Sequence, residues 1–138
     1  MSPEEIEHVN QSWQSIVLMG DTAIQMFYRR LFSIDPSAHA LFAETNMPDQ
    51  RIKFMETFGL LVENIGDLEA HEPMLEQLGQ RHAAVGVEER HYEAVHQALI
   101  STIESGLGHV LDQEARMAWD AAYRRMIEPM QRGAANIN

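Results

Sequence analysis

The chain contains seven histidines, whose imidazole rings serve both metal binding and acid–base chemistry near neutral pH. They are His8, His39, His71, His82, His91, His96 and His109. Six of them have no clear apolar setting, and we expect those six on the surface. His82 differs, because it continues a helical stripe formed by Leu75 and Leu78, with Val85 following. Such a histidine is either a hydrogen-bonded core residue or a ligand that directs a ring nitrogen at a metal.

Two Glu-x-x-His pairs raise the alternative of a non-haem metal site. Glu5 with His8, and Glu88 with His91, match the short element that helical di-iron proteins use. Both pairs lie in or near a first helical turn, where glutamate is favoured by the helix dipole and by capping. No inward-facing glutamates on two other helices complete the ligand set, so we do not expect a di-iron site.

Composition excludes several classes of protein. The 138 residues include no cysteine, which rules out disulfides, thiolate metal sites and cysteine nucleophiles. No serine lies in a nucleophile elbow and no glycine-rich phosphate loop occurs. The net charge of -11 argues against nucleic-acid binding. We expect no signal peptide, since the chain begins without a basic, apolar leader. No stretch approaches the ~20 apolar residues of a membrane span, so we expect none. We also expect a cytoplasmic location.

The elements that must position these side chains are helices. Apolar residues recur with helical spacing and no segment alternates, which predicts an all-α domain of six to eight helices over residues 1–138. Ser2 begins the first helix with a capping box, and Asp49 caps the fourth main segment. Pro73 opens the helix that bears His82. A long helix is expected over 88–107, and a last one from about Asp112.

The end of the chain carries two helix-breaking signals. Pro129 is expected to bend or end the last helix, because proline lacks a backbone N–H. The segment 133–138 is small and polar, so we expect a frayed tail.

The order of these residues resembles a known family. Their motifs are similar to those of bacterial single-domain globins and of the haem domain of flavohaemoglobins, over essentially the whole chain. The matching segments are Phe27–Phe32, Asp35-Pro36, Leu41-Phe42, Leu78–His82, Gly86-Val87, His91-Tyr92 and the aromatic pair Trp119 and Tyr123. The resemblance implies a globin fold around a haem pocket.

The resemblance also assigns roles around a haem b. His82 takes the place of the proximal histidine that holds globin iron. Tyr28 and Gln50 match the distal polar positions that hydrogen-bond a gas ligand, with Tyr28 as the main donor. Phe42 matches the aromatic side chain that packs on the haem face, and Phe54 a wall of the pocket. Without the resemblance, Phe42 and Tyr28 are equally well explained as core residues and Gln50 as a solvated amide.

Further positions follow from the same resemblance. Tyr92 matches a proximal tyrosine that flavohaemoglobins pair with a glutamate, but the matching glutamate position here is Ala134. That departure argues against the strong proximal push of peroxidase-like or fast dioxygenase chemistry. Lys53 and Arg81 either pair with haem propionates or remain solvated surface charges. The remaining cofactor-binding positions are Leu78, Val87 and Val95.

Three functions are then open. The first is a binding protein that takes up oxygen, CO or NO for storage, transport or sensing. The second is a nitric oxide dioxygenase, which needs a separate reductase because the chain has no room for flavin and nicotinamide domains. The third, a helical module without a cofactor, leaves His82, Tyr28 and Gln50 without a shared purpose. We expect the first, in a monomer or weak homodimer.

Overall fold

The computed structural model describes residues 1–136, which form seven α-helices and one 3-10 helix, with no strand in that part of the chain. The helices are α1 (Pro3–Met19), α2 (Asp21–Ile34), α3 (Pro36–Ala40), α4 (Met47–Glu63), α5 (Glu72–Ala84), α6 (Glu89–Leu107) and α7 (Gln113–Ala135), and the 3-10 helix is Ile65–His71. The all-α prediction of six to eight helices is confirmed. None of the helices described is both long and apolar enough to cross a membrane.

The first turns of the helices follow local capping chemistry. Ser2 and Glu5 form the expected capping box at the start of α1. The expected cap of α4 at Asp49 is wrong, because the helix begins earlier. The side-chain oxygen of Asn46 accepts the backbone N–H of Asp49 at 3.1 Å, so Asn46 is the N-cap and Asp49 lies inside the first turn.

The core is centred on Trp119, which is 0% exposed. Its indole N–H donates to the Ser12 hydroxyl at 2.7 Å, which joins α7 to α1 and satisfies the buried donor. Phe58 of α4 stacks on the same indole, with ring centroids 6.4 Å apart. The hydrogen bond and the aromatic contact together bring α1, α4 and α7 into one core, and α2 and α6 complete it through buried aliphatic residues.

Two glycines let α5 lie directly on the backbone of α7. A Cβ atom added to Gly79 would fall 1.9 Å from the carbonyl oxygen of Met130, and one added to Gly133 would fall 1.9 Å from that of Glu76. No side chain fits at either point. This close crossing seats the helix that bears His82 on α7.

The two expectations for the chain end are corrected by this crossing. Pro129 does not end α7, which continues to Ala135 with Pro129 buried inside it. Gly133 is buried against α5, so the predicted fraying is wrong for residues 133–135; residues 137–138 lie outside the described part. The contact with α5 offsets the hydrogen bond that proline removes, which is why the helix persists.

Candidate functional site

His82 lies in the last turn of α5 with its ring in a defined tautomer. Its Nδ1 is 2.8 Å from the carbonyl oxygen of Leu78, and a carbonyl only accepts, so Nδ1 carries the proton. Burial lowers the pKa of His82, against the raising effect of the Leu78 carbonyl, and the ring is therefore neutral at pH 7. Its Nε2 has a free lone pair and no hydrogen-bond partner within residues 1–136. This is the state of a histidine prepared to ligate a metal.

The segment that follows His82 turns back and forms a hydrogen bond with the end of α5. The N–H of Val87 donates to the carbonyl oxygen of His82 at 2.9 Å. Gly86 turns the chain with a φ of +103°, a conformation that favours glycine. The expected place of Val85 on the buried stripe is wrong: α5 ends at Ala84, and Val85 is 68% exposed. Val87 is half-buried at the start of the approach to α6.

The structure brings together Tyr28 and Gln50, the two residues that the resemblance assigns to the distal side. The Gln50 side-chain amide of α4 donates to the Tyr28 hydroxyl of α2 at 3.1 Å. Burial raises the pKa of Tyr28 to about 12, although Gln50 and Arg51 oppose the shift. The phenol is therefore protonated at physiological pH. Its proton has no acceptor among the described residues, so it is available to a ligand.

Aromatic side chains pack against the ring of Tyr28. Phe42 meets the Tyr28 ring edge-on, with centroids 5.5 Å apart. Phe54, one turn beyond Gln50, stacks on Phe27 at 4.6 Å and lies 5.9 Å from Tyr28. Both Phe42 and Phe54 are only half-buried although they pack against the core.

These features fit a haem. An iron porphyrin needs a neutral histidine nitrogen on one face and apolar side chains against its flat ring, and this chain offers both. Several such side chains pack against the core without being fully covered: Phe42, Phe54, Leu78, Tyr92 and Val95. Within residues 1–136 no cluster of three or more histidine or acidic side chains could hold a bare metal ion.

The charged residues predicted to bind haem are not held in place. Lys53 of α4 and Arg81 of α5 are both exposed, and neither forms an ion pair with the residues described. Both lie beside site residues on their own helices, Lys53 three residues after Gln50 and Arg81 directly before His82. Their pairing with propionates stays a prediction.

Tyr92 of α6 lies on the half-buried wall that the resemblance assigns to the proximal side. Its hydroxyl is buried and has no hydrogen-bond partner in the described structure, and burial raises the pKa of Tyr92. Its carbonyl oxygen accepts the Tyr123 hydroxyl at 2.5 Å. The matching glutamate position, Ala134 of α7, offers no acceptor. The unpaired hydroxyl agrees with the missing glutamate.

Of the six histidines expected on the surface, His91 is buried, and His8, His71 and His96 are half-buried. His91 is 4% exposed, and its ring accepts the backbone N–H of Glu88 at 2.8 Å. The Glu88-x-x-His91 spacing is thus a capping box in which the histidine completes the box, a use of the ring that the spacing alone could have suggested. His96 is half-buried, with Nε2 3.1 Å from a carboxylate oxygen of Asp120. Burial lowers the pKa of His96, and Asp120 opposes that shift.

Comparison with known proteins now identifies the family. Residues 25–130 match the family described as Globin, and the chain belongs to the globin family. Membership implies that the chain binds haem, and globins bind diatomic gases such as oxygen. The resemblance to bacterial globins and flavohaemoglobins is thereby confirmed.

Named relatives differ widely in source. A protein from Oryza sativa subsp. indica named anaerobic nitrite reductase NSHB5 is 30% identical over 131 residues, which covers 91% of this chain and 90% of that protein. A neuroglobin of Danio rerio is 29% identical over 143 residues, covering 92% and 88%. A flavohemoprotein of Bacillus subtilis is 29% identical over 106 residues, which covers 75% of this chain but 27% of that longer protein.

Solved structures share the fold. A bacterial globin from Campylobacter jejuni superposes with a TM-score of 0.80 at 20% identity, over 97% of this chain and 96% of that one. A ferric myoglobin from Aplysia limacina, solved with azide, superposes with a TM-score of 0.83 at 19% identity, over 99% of both chains. At these identities the likeness shows the globin fold alone.

Proposed function

We propose that this chain binds one haem b through His82 and takes up oxygen, CO or NO reversibly, in a storage, transport or sensing role. The observation that carries the proposal is the tautomer of His82. The carbonyl of Leu78 holds the ring proton on Nδ1, so Nε2 is the nitrogen left to ligate iron. The Nδ1 hydrogen bond also orients the ring and increases its basicity, as in metal-ligating histidines generally.

His82 would hold the haem, whose iron would supply the gas-binding chemistry. On the distal side the chain's contribution is a proton held at the Tyr28 hydroxyl oxygen. Gln50 fills an acceptor site of that oxygen and thereby directs the hydroxyl hydrogen elsewhere. The rings of Phe42 and Phe54 pack against the Tyr28 ring, and these apolar surroundings strengthen a hydrogen bond from its hydroxyl to a charged acceptor. This arrangement favours retention of oxygen.

The test of haem ligation is a visible spectrum of the reconstituted protein, recorded ferric, after dithionite and after CO. We expect a Soret band that shifts at each step in the natural chain. His82→Ala should lose or loosen the haem, whereas His109→Ala, which alters an exposed histidine between α6 and α7, should not. A protein that takes up no haem, or an unchanged ferrous spectrum in His82→Ala, would overturn the proposal.

A nitric oxide dioxygenase activity is the second candidate, favoured by the similarity to a flavohemoprotein. The distal pair of Tyr28 and Gln50 serves that reaction as it serves storage, because both require oxygen to be held. The unpaired hydroxyl of Tyr92 argues for a slow reaction, since no glutamate completes a proximal network. We propose a cytoplasmic location, where a separate reductase can act. Catalytic nitrate formation from the oxygenated protein, nitric oxide and such a reductase tests this candidate, and stoichiometric nitrate alone would exclude it.

A further inference from the structure

A hydrogen-bond chain joins the start of α6 to the start of α3. The backbone N–H of Glu88 donates to Nδ1 of His91 at 2.8 Å, so the proton of the neutral ring is on Nε2. That Nε2 lies 2.9 Å from the Ser37 hydroxyl oxygen, to which it donates. The Ser37 hydroxyl donates in turn to a carboxylate oxygen of Asp35 at 2.6 Å. Each of these three hydrogen bonds therefore has a defined donor and a defined acceptor.

The acceptor end of the chain is anchored by charge and by a helix cap. Asp35 is the N-cap of α3 and accepts the backbone N–H of Ser37 at 3.0 Å. The Ser37 hydrogen bonds hold the pKa of Asp35 below its usual range, so its carboxylate is ionised at neutral pH. Its second oxygen is 3.9 Å from both the His91 ring and the Arg90 guanidinium. The Asp35 carboxylate is thus a fixed anchor to which α6 is tied.

These hydrogen bonds hold the segment that directly follows His82. Val87 is bonded to the carbonyl of His82, and Glu88, the next residue, is bonded to His91. Gly86 lies so close to Leu41 that an added Cβ would fall 3.3 Å from its side chain. Residues 83–91 therefore contact the α3 region at two points, one polar and one apolar.

We propose that His91 is a positioning residue for the gas-binding site. Through its bond to Ser37 it fixes the segment that follows His82 against the start of α3. Because α3 follows directly from α2, the same bond sets the His82 side of the site relative to the helix that carries Tyr28. The inference rests on the proposed haem function, since only a ligand held between these two sides makes their separation matter.

Two substitutions of His91 separate its two hydrogen bonds. In His91→Asn the side-chain oxygen replaces Nδ1 and retains the bond from Glu88, but the shorter side chain no longer reaches Ser37. In His91→Gln the terminal amide replaces Nε2 and retains the bond to Ser37, while the bond from Glu88 is lost. Ser37→Ala removes the bond to His91 from the other end, together with the hydroxyl bond to Asp35, and leaves the backbone cap of α3 in place. His109→Asn is the matched control.

We expect His91→Asn and Ser37→Ala to release oxygen about threefold to tenfold faster, because both lose the part-buried hydrogen bond between His91 and Ser37. The iron–histidine stretching band of their ferrous forms should shift or broaden. A readout that needs no haem is amide hydrogen exchange: Val87 should exchange faster in both variants. His91→Gln should expose the Glu88 amide yet keep oxygen release and Val87 exchange close to those of the natural chain.

The outcomes are distinguishable. If the natural chain takes up no haem, the proposed function fails, while exchange at Val87 still tests the link between α6 and α3. If haem binds but Ser37→Ala leaves both oxygen release and Val87 exchange unchanged, the positioning role is refuted. Equal effects of His91→Asn and His91→Gln, in step with their melting temperatures, would reduce His91 to a general stabilising residue and would also refute it.

Discussion

Replacement of Tyr28 by phenylalanine removes one oxygen atom from the site and little else. The ring contacts four aromatic side chains, so the phenylalanine should keep its place and the fold should be unchanged. Those neighbours are Phe27, Phe32, Phe42 and Phe54. What is lost is the free phenolic proton. A hydrogen bond to a charged acceptor contributes about 1.5–3 kcal/mol, which corresponds to roughly 10- to 100-fold in an equilibrium or off-rate.

The hydrogen bond between Gln50 and Tyr28 narrows the expected increase in the oxygen off-rate. In Tyr28→Phe the Gln50 amide loses its acceptor and becomes free to donate to the ligand itself. We therefore expect about a tenfold faster oxygen release and faster autoxidation in Tyr28→Phe, and about 100-fold faster release in the double variant with Gln50→Leu. Stopped-flow displacement of oxygen by CO measures the rates, and a double-mutant cycle isolates the coupling between the two side chains.

The pH dependence provides a second check on the same residue. Because burial raises the pKa of Tyr28 to about 12, the donor keeps its proton from pH 6 to about 10. Oxygen release in the natural chain should show no titration of this group across that range. An unchanged release rate in Tyr28→Phe would refute the distal role, and a step near pH 8 that disappears in Tyr28→Phe would refute the protonation argument.

Three further predictions concern stability. Gly79→Ala should destabilise the fold by about 3 kcal/mol or more, because its Cβ meets the α7 backbone at 1.9 Å. Gly59→Ala, whose Cβ has its nearest atoms at 4.0 Å, should be neutral or stabilising. Chemical denaturation compares the two variants, and equal free energies of unfolding would contradict the close backbone contact between α5 and α7. Ser12→Ala leaves the buried Trp119 N–H without an acceptor and should lower the free energy of unfolding by about 1–3 kcal/mol, whereas an unchanged denaturation midpoint would show that the hydrogen bond is unimportant. Burial raises the pKa of Tyr123, so the folded state holds that proton more tightly than the unfolded state. The free energy of unfolding should then fall as the pH rises above about 10, and it should fall less steeply in Tyr123→Phe. Equal slopes in the variant and the natural chain would contradict the raised pKa of Tyr123.

Local sequence patterns predicted most of the helices and singled out His82 as a candidate ligand. Helical spacing and capping residues predicted α1, α6 and the start of α5, because both depend on neighbours within one turn. At α4 the prediction was wrong: the sequence pattern placed the start of the helix at Asp49, whereas Asn46 caps it three residues earlier. His82 stood out because its apolar neighbours lie on its own helix.

What only the tertiary structure decided is how residues distant in the chain meet. Tyr28 and Gln50 come from different helices, and no spacing rule states that one would donate to the other. Pro129 remained inside α7 because Gly79 and Gly133 let two backbones touch, a contact that no local propensity encodes.

His91 shows the same division within one residue. Its bond from Glu88 spans three residues and is readable from the sequence, whereas its partner Ser37 is 54 residues away. Hydrogen bonding within a turn depends on backbone geometry that a sequence pattern specifies. Burial and long-range pairing depend on how whole helices pack, so the sequence determined which groups were present and the fold decided which of them act together.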